Sequence, residues 1–379
     1  MQKKPAAIEY RPHHSRIIGR SFRNQAFGQL SRHHGQAGSR RSNRDIHCPG
    51  APVMDISVQH SSLLLRDHDS SFWENMLRRR NQYSFYQTPQ WSEILTRVLP
   101  DCTPEHRYFT FSDGSEAILP LFASKKLLFT RKSDSLPWNT YGGLIGDAAI
   151  SIHHLYAAAR HLVSLRKPVF DVILNPFDPL NLVHCKSYPS FRIFKNTTRI
   201  LPLDRPFERI WEERFHKGTR RDIRQTRNKG VITRWNNRPD GVETIKRLYR
   251  HACDEWQGTS TYPLSFFDAL TEVPGDLVRI WIAEHDHRPV AGAVVAYGKG
   301  EVQYMAAARD SGVSKINASK LLLSDIIEDA GERGFASLNF GASAGLKGVD
   351  HLKEVFGGEE TAYLKIRFLH PLVRFLPRQ

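Results

Sequence analysis

The chain has 379 residues, with 54 Lys and Arg against 39 Asp and Glu, a formal charge of +15, and is 40% hydrophobic and 11% aromatic. That balance excludes a wholly disordered chain, and no apolar run approaches the roughly 20 residues of a membrane-spanning helix. The charge is uneven: residues 1–53 hold ten basic side chains and two acids, Glu9 and Asp45, a net of +8 that leaves +7 for the rest.

The length suffices for two domains, each with its own core. Residues 1–53 are rich in Arg, His, Gly and Ser and show no sustained apolar period, so they are expected to be a disordered basic leader. Met54 stands directly before the first periodic sequence, and a start there would remove the leader. The N-terminus lacks the apolar segment of a secretory signal. Cys48, Cys102, Cys185 and Cys253 are widely spaced, without a CxxC or CxxH pair. This argues against a structural zinc site or a disulfide scaffold, and a cytoplasmic location is expected. No metal site is expected.

From Met54 the pattern is regular. Residues 70–80 and 88–99 read as helices, the second with Thr88 as N-cap and Pro89 at its first position. "RYFTF", the turn "SDGS" and "EAILPLFASKK" read as a hairpin, followed by a helix over 148–165 and the strand "PVFDVIL". A second hairpin is expected near "RIFKNTTRILPL". The second half repeats this grammar, starting with a helix over about 207–229 that Gly230 closes, then the strand "VITRW". Helices over 240–256 and 264–270 lead to a three-strand meander, "LVRIWIAE", "VAGAVVAYGK" and "EVQYMAAA". A long amphipathic helix over 314–334, the strand "FASLNFG", a helical turn "VDHLKEVFGG" and the strand "TAYLKIRFL" complete the chain. The expected fold class is α+β: two tandem units, 54–200 and 201–379, each a mixed, mostly antiparallel sheet flanked by helices.

The stretch Phe215–Trp235 carries seven Lys or Arg and one acid, Asp222. On a helical wheel Trp211, Phe215, Thr219, Ile223 and Thr226 share an arc of about 120°, and Lys217, Arg220, Arg221, Arg224 and Arg227 lie opposite. The plainer reading is a solvated face. Against it stands the shortage of acids, because a merely soluble helix interleaves Glu with Lys. A cationic ridge of this kind offers forked donors to phosphate or carboxylate oxygens.

Further on, Asn339, Gly341 and Ser343 fall at a strand end, ahead of a Gly-rich turn and of Lys353 beside Phe356, Gly357 and Gly358. Glycines let backbone approach a ligand, and a lysine there could balance charge on an acyl donor or a tetrahedral oxyanion. The alternative is an exposed helix lysine.

Taken in order, "FYQTPQW", "LPWNTYGG", Arg220-Arg221-x-Ile223-Arg224 with Lys229-Gly230-Val231, "YMAAA", "NASKLLL", "FASLNFG" and "LKEVFGG" resemble the FemAB-like (BioF2-like) branch of the GNAT acyltransferase superfamily, over roughly residues 75–370. The resemblance implies tandem GNAT-like domains and transfer of an acyl or aminoacyl group to an amine. By the same resemblance, Lys217, Arg220, Arg221 and Arg224 would hold substrate phosphates, and Lys353 would support the transferred group. Arg309, Gly312 and Ser314 resemble the Arg-x-x-Gly-x-Gly/Ala turn on which acetyltransferases seat the donor's pyrophosphate, with Ser314 replacing the last small residue. Two departures bear on the donor: Leu352 stands where the Fem-type motif has an aromatic, and Thr226 where Ala is common. No long helical hairpin for tRNA interrupts the second unit. The expected co-substrate is therefore acyl-CoA (acetyl-CoA), with aminoacyl-tRNA as the alternative, and no cofactor is tightly bound.

The expected chemistry is direct transfer, since no Ser or Cys sits in a nucleophile setting. Tyr304, Asn339, Asp254 and Glu255 are the candidates for handling the amine's proton. The acceptor is expected to be a phosphorylated, sugar-linked or cell-envelope amine, with peripheral membrane contact left open. Two readings from other classes compete: a nucleic-acid-binding module built on the ridge, and a non-catalytic GNAT-fold binding protein.

Overall fold

The computed structural model describes residues 56–64, 67–124, 132–146, 150–165, 169–182, 191–255, 262–313, 316–343 and 347–369. The leader, Met54, Cys48, Cys185 and Ser314 lie outside them. Residues 54–379 form one compact unit.

The first half contributes β1 (Val58–Leu63), α1 (Asp67–Arg78), α2 (Pro89–Val98), β2 (Cys102–Pro104), β3 (Arg107–Phe111), β4 (Glu116–Leu119), β5 (Phe122–Ser124), β6 (Lys132–Asp134), β7 (Ile145–Gly146), α3 (Ile152–Ser164), β8 (Val169–Ile173) and β9 (Phe191–Pro202). The second contributes α4 (Phe207–Glu213), α5 (Lys217–Asn228), β10 (Ile232–Trp235), α6 (Pro239–Glu255), α7 (Leu264–Ala269), β11 (Val278–His285), β12 (Arg288–Tyr297), β13 (Glu301–Arg309), α8 (Ala318–Glu332), β14 (Ser337–Asn339), α9 (Lys347–Glu354) and β15 (Glu359–Leu369).

The expected α+β class and the mostly antiparallel pairing hold. A small sheet runs β1-β3-β4-β7, and a large one runs β10-β11-β12-β13-β14-β9-β15-β8-β6-β5-β2. The large sheet passes through both halves. β15 makes this continuity, pairing with β9 from Glu359↔Ile200 to Phe368↔Phe191 and with β8 from Lys365↔Ile173 to Leu369↔Val169. Among the described strands each half also has one parallel pair, β6 with β8 and β13 with β14.

Strand alternation sorts the apolar residues into cores. On β11, Val278, Ile280 and Ile282 face α6, α7 and the aromatic residues Phe85, Trp91 and Tyr141 of the first half. Trp281 and Ala283 face the other way, toward α8 and Phe215 and Ile223 of the basic region. A third core packs α3 against β3, β8 and β15. Because β12 is covered on both faces, Val290–Tyr297 is buried throughout, as a continuous apolar run requires.

Local signals read from the sequence recur as geometry. Thr88 caps α2 by accepting from the Trp91 N–H, and Gly230 (φ +80°) and Gly334 (φ +76°) follow the ends of α5 and α8. Three expectations are corrected. The hairpin near "RIFKNTTRILPL" is the single strand β9, because β15 pairs across the polar Lys195–Thr198 and holds it extended. "EAILPLFASKK" divides at Pro120: β4 stays with β3, while β5 joins the large sheet beside β2 and β6.

The helix over 207–229 is two helices. The break at 214–216 turns Phe215 inward, 4.8 Å from the Phe356 ring, and the His216 N–H donates to the Val355 carbonyl at 2.8 Å. His216 then caps α5 through its ring, which accepts from the Gly218 N–H.

Phe266 is fully buried where the halves meet, with Trp91, Trp138 and Tyr262 around it. Phe266→Ala is expected to cost about 3–5 kcal/mol in urea denaturation. A loss below about 1 kcal/mol would show that the halves do not share this core.

Candidate active site

The parallel pairing of β13 with β14 lasts three residues, Glu301↔Ser337, Val302↔Leu338 and Gln303↔Asn339, and then the strands part. Met305 has no opposite residue on β12, since Val294 pairs with Ala306 and Val295 with Tyr304. This bulge turns β13 away from β14. Past Gln303, the β14 side of β13 is left without a strand partner among the described residues. The result is a fork whose open backbone can pair with a ligand.

Lys353 closes the base of the fork. Its side chain is 5% exposed, and Nζ donates to the Gly341 carbonyl at 2.7 Å, just past the end of β14. Burial pushes its pKa down to about 8, opposed by the Asp350 carboxylate. Asp350 in turn accepts from Arg199 Nε and Nη2, both at 2.8 Å, and from Ser343 Oγ at 3.0 Å. The Arg199 contacts hold its carboxyl at about 2, so the charge beside Lys353 is permanent at neutral pH.

The two glycines after Phe356 make this packing fit. Gly357 (φ +82°) terminates α9, and a Cβ on Gly358 would lie 2.9 Å from both the Lys353 carbonyl and the Phe340 ring. Thus the lysine and its glycines, singled out together in the sequence, form one structural piece.

Asn339 belongs to a buried polar bridge that the sequence did not reveal. Its Nδ2 donates to Glu301 Oε1 at 2.8 Å and to the Tyr141 hydroxyl at 3.2 Å. Its Oδ1 accepts from Thr198 Oγ1 and from the Gly341 N–H. Glu301 Oε2 accepts from Asn175 Nδ2 at 3.1 Å, and Gln87 contacts the same amide. Tyr141, Asn175 and Gln87 come from the first half, so the bridge spans the seam. Glu301 is 1% exposed, and burial raises its carboxyl to about 7 against the pull of the two amides.

Tyr304 is not brought to Asn339. Glu301 and Gln303 face the bridge, whereas Val302 and Tyr304 face the α8 core. Burial raises the Tyr304 hydroxyl above its usual range. Asp254 and Glu255 are exposed at the end of α6.

The basic helix has the two faces expected of it, with Thr219, Ile223 and Thr226 buried. Lys217, Arg221 and Arg224 are exposed, and Arg224 also stacks over Trp211. Arg220 folds back onto the Glu212 carbonyl at 3.1 Å, and Arg227 pairs with Asp325 of α8 at 2.8 Å. Leu352 packs against the α8 core, and Thr226 bonds back to the Asp222 carbonyl. At the turn after β13, Arg309 and Gly312 are exposed. The Gly312 N–H is held by Asp310 Oδ1 at 2.9 Å, so a phosphate seated there has to displace that carboxylate.

Glu301 gives a pH signature. Unfolded, it ionises near 4.5; folded, near 7, so the folded state carries the extra proton between them. Stability from this group therefore falls as pH rises through that window and is flat outside it. The difference in denaturation midpoint between the wild type and Glu301→Gln should slope between about pH 4.5 and 7. Parallel curves would place the Glu301 carboxyl at its ordinary value.

Residues 213–354 match the family model described as the acetyltransferase (GNAT) domain. Among curated proteins none matches the sequence significantly. The fold is similar to the crystal structure of FemX, with a TM-score of 0.62 at 12% identity over 84% of this chain and 100% of that one. It is also similar to a conserved protein of unknown function from Bacteroides thetaiotaomicron (TM-score 0.58, 11% identity, 81% of this chain and 100% of that one). The C-terminal domain of a putative lysylphosphatidylglycerol synthetase from Agrobacterium fabrum gives a TM-score of 0.52 at 14% identity, over 79% of this chain and 91% of that one. Residues 213–354 of the chain thus match an acetyltransferase (GNAT) domain, within a chain whose fold is similar to that of FemX.

Proposed function

We propose that the chain transfers an acyl group from a thioester donor of the acyl-CoA type to an amine on a phosphorylated or sugar-linked acceptor, without an acyl-enzyme. The observation that carries this reading is the buried Lys353 ammonium at the base of the β13–β14 fork. Backbone groups of β13 left unpaired by the fork can bond the amides of an extended donor arm. Lys353, charged below about pH 8, then faces the negative oxygen that develops as the amine attacks.

In the transfer step the C–N bond forms as the C–S bond breaks. The proton lost by nitrogen ends on the thiolate, directly or through water. No second half-reaction is needed. The exposed Lys217, Arg221 and Arg224 lie on the helix whose N-terminus is hydrogen-bonded to the end of α9. That link supports their service as the phosphate clamp of the acceptor. An acyl-CoA donor is preferred to aminoacyl-tRNA because no long helical hairpin interrupts the described part of the second half.

Thiol release from acetyl-CoA, measured with a panel of primary amines, tests the reading. Lys353→Ala should lower kcat by about 100-fold or more while the melting temperature stays near wild type. The wild-type rate should decline above about pH 8 as Lys353 loses its charge. Unchanged turnover in the variant would remove Lys353 from the site.

The clamp has its own test. Arg221→Ala with Arg224→Ala should raise KM for a nucleotide-linked amino sugar about tenfold, leaving KM for the same amine without phosphate unaltered. Equal effects on both amines would assign the ridge to solvent.

A further inference from the structure

Gln303 is the last residue of β13 paired with β14, and it is 2% exposed. Its Nε2 donates to the Asn339 carbonyl at 3.3 Å and to the Tyr304 carbonyl at 3.4 Å. The carboxamide thereby staples the two strands at the point where they part. Both neighbours are carbonyl oxygens, so exchanging the amide N and O would set oxygen against oxygen, and the orientation is fixed. This leaves Oε1 buried and accepting no hydrogen bond among the described residues.

A buried amide oxygen without a donor costs free energy unless a ligand supplies one. Its neighbourhood says which ligand. Gly341 adjoins the carboxamide, a Cβ there lying 3.4 Å from Gln303 Nε2, and the Gly341 carbonyl holds Lys353 Nζ at 2.7 Å. An unsatisfied acceptor and a buried ammonium therefore flank one turn. A group that answers both offers an N–H to Gln303 and an oxygen to Lys353. That is the pattern of a carbonyl carbon under attack by an amine, whose nitrogen brings N–H bonds and whose oxygen gains charge.

We infer that Gln303 Oε1 accepts an N–H of the acceptor's neutral primary amine and holds its lone pair toward the donor's thioester carbon at the fork. This assignment rests on the acyl-transfer reading above and adds to it the residue that orients the attacking nitrogen. The thioester has no N–H at its reacting end. The amides of a CoA-type arm do, and they are the other source of the same chemistry.

Purified full-length protein with acetyl-CoA and hydroxylamine, an amine neutral at pH 7.5, separates these sources. Hydroxamate reports attack by nitrogen, acetate reports attack by water, and calorimetry reports acetyl-CoA affinity. Gln303→Met keeps the length of the side chain and removes the acceptor oxygen. It should lower the hydroxamate-to-acetate ratio about tenfold at unchanged acetyl-CoA affinity. Gln303→Glu loses the stapling N–H groups but keeps an acceptor, and its ratio should stay near wild type.

An unchanged ratio in Gln303→Met overturns the assignment. So does an equal loss in both variants, which makes the staple the whole role of the residue. A fall in acetyl-CoA affinity with the ratio intact gives the oxygen to the donor arm instead. If the wild type releases no thiol with any amine, the transfer reading itself fails, and the Gln303 assignment falls with it.

Discussion

The parting of β13 from β14 after three paired residues is the constraint around which the rest is arranged. A strand cannot leave its neighbour without orphaning backbone groups, and a folded interior tolerates few of those. Here the bulge at Met305 starts the divergence and the Gln303 carboxamide ties off its inner end. Lys353 satisfies the Gly341 carbonyl just beyond. A GNAT fold is in this sense a sheet held deliberately incomplete, and the energy of completing it is available to whatever binds.

The fork stays rigid because its supports come from far apart in the chain. Asn339 is gripped by Thr198 and Tyr141, and its neighbour Glu301 by Asn175. Beneath α9, Arg199 fixes Asp350 and also donates to the Gly358 carbonyl. Each residue that faces the fork is thus held by one that does not. Such second contacts fix a reacting geometry better than the charged groups could alone. The basic helix is tied in similarly, since Lys320 and Asp325 of α8 engage its Asp222 and Arg227 and leave the outward cations presented on a firm base.

Much of this was legible in the sequence where the signal is local. The ridge of α5 follows from its 3.6-residue period, and the pairing of Lys353 with Gly357 and Gly358 is visible as a short run. The α+β class follows from the order of meander, helix and strand. What escaped the reading depends on partners distant in sequence. Glu301 and Gln303 alternate with Val302 and Tyr304 like the outer face of an ordinary strand. Partners remote in sequence, Asn339 and, more than a hundred residues earlier, Asn175, make Glu301 an inner residue. Lys195–Thr198 looks like a turn because nothing nearby shows that β15 will pair across it. The helix break at Phe215 is set by Phe356, likewise out of reach of any window. Tyr304 illustrates the converse, since its residue type suggested proton handling and its place in the strand turned it to the other face.

β15, from the second half, joins β8 to β9, two strands of the first, and it is made long after either. During synthesis β8 and β9 therefore leave the ribosome with edges that no neighbour yet covers, and exposed edges invite pairing with other chains. The polar Lys195, Asn196 and Thr197 on β9 make that waiting edge a poor template for such pairing. The same arrangement ties the halves together: removing β15 from the second half uncovers β8 and β9 of the first.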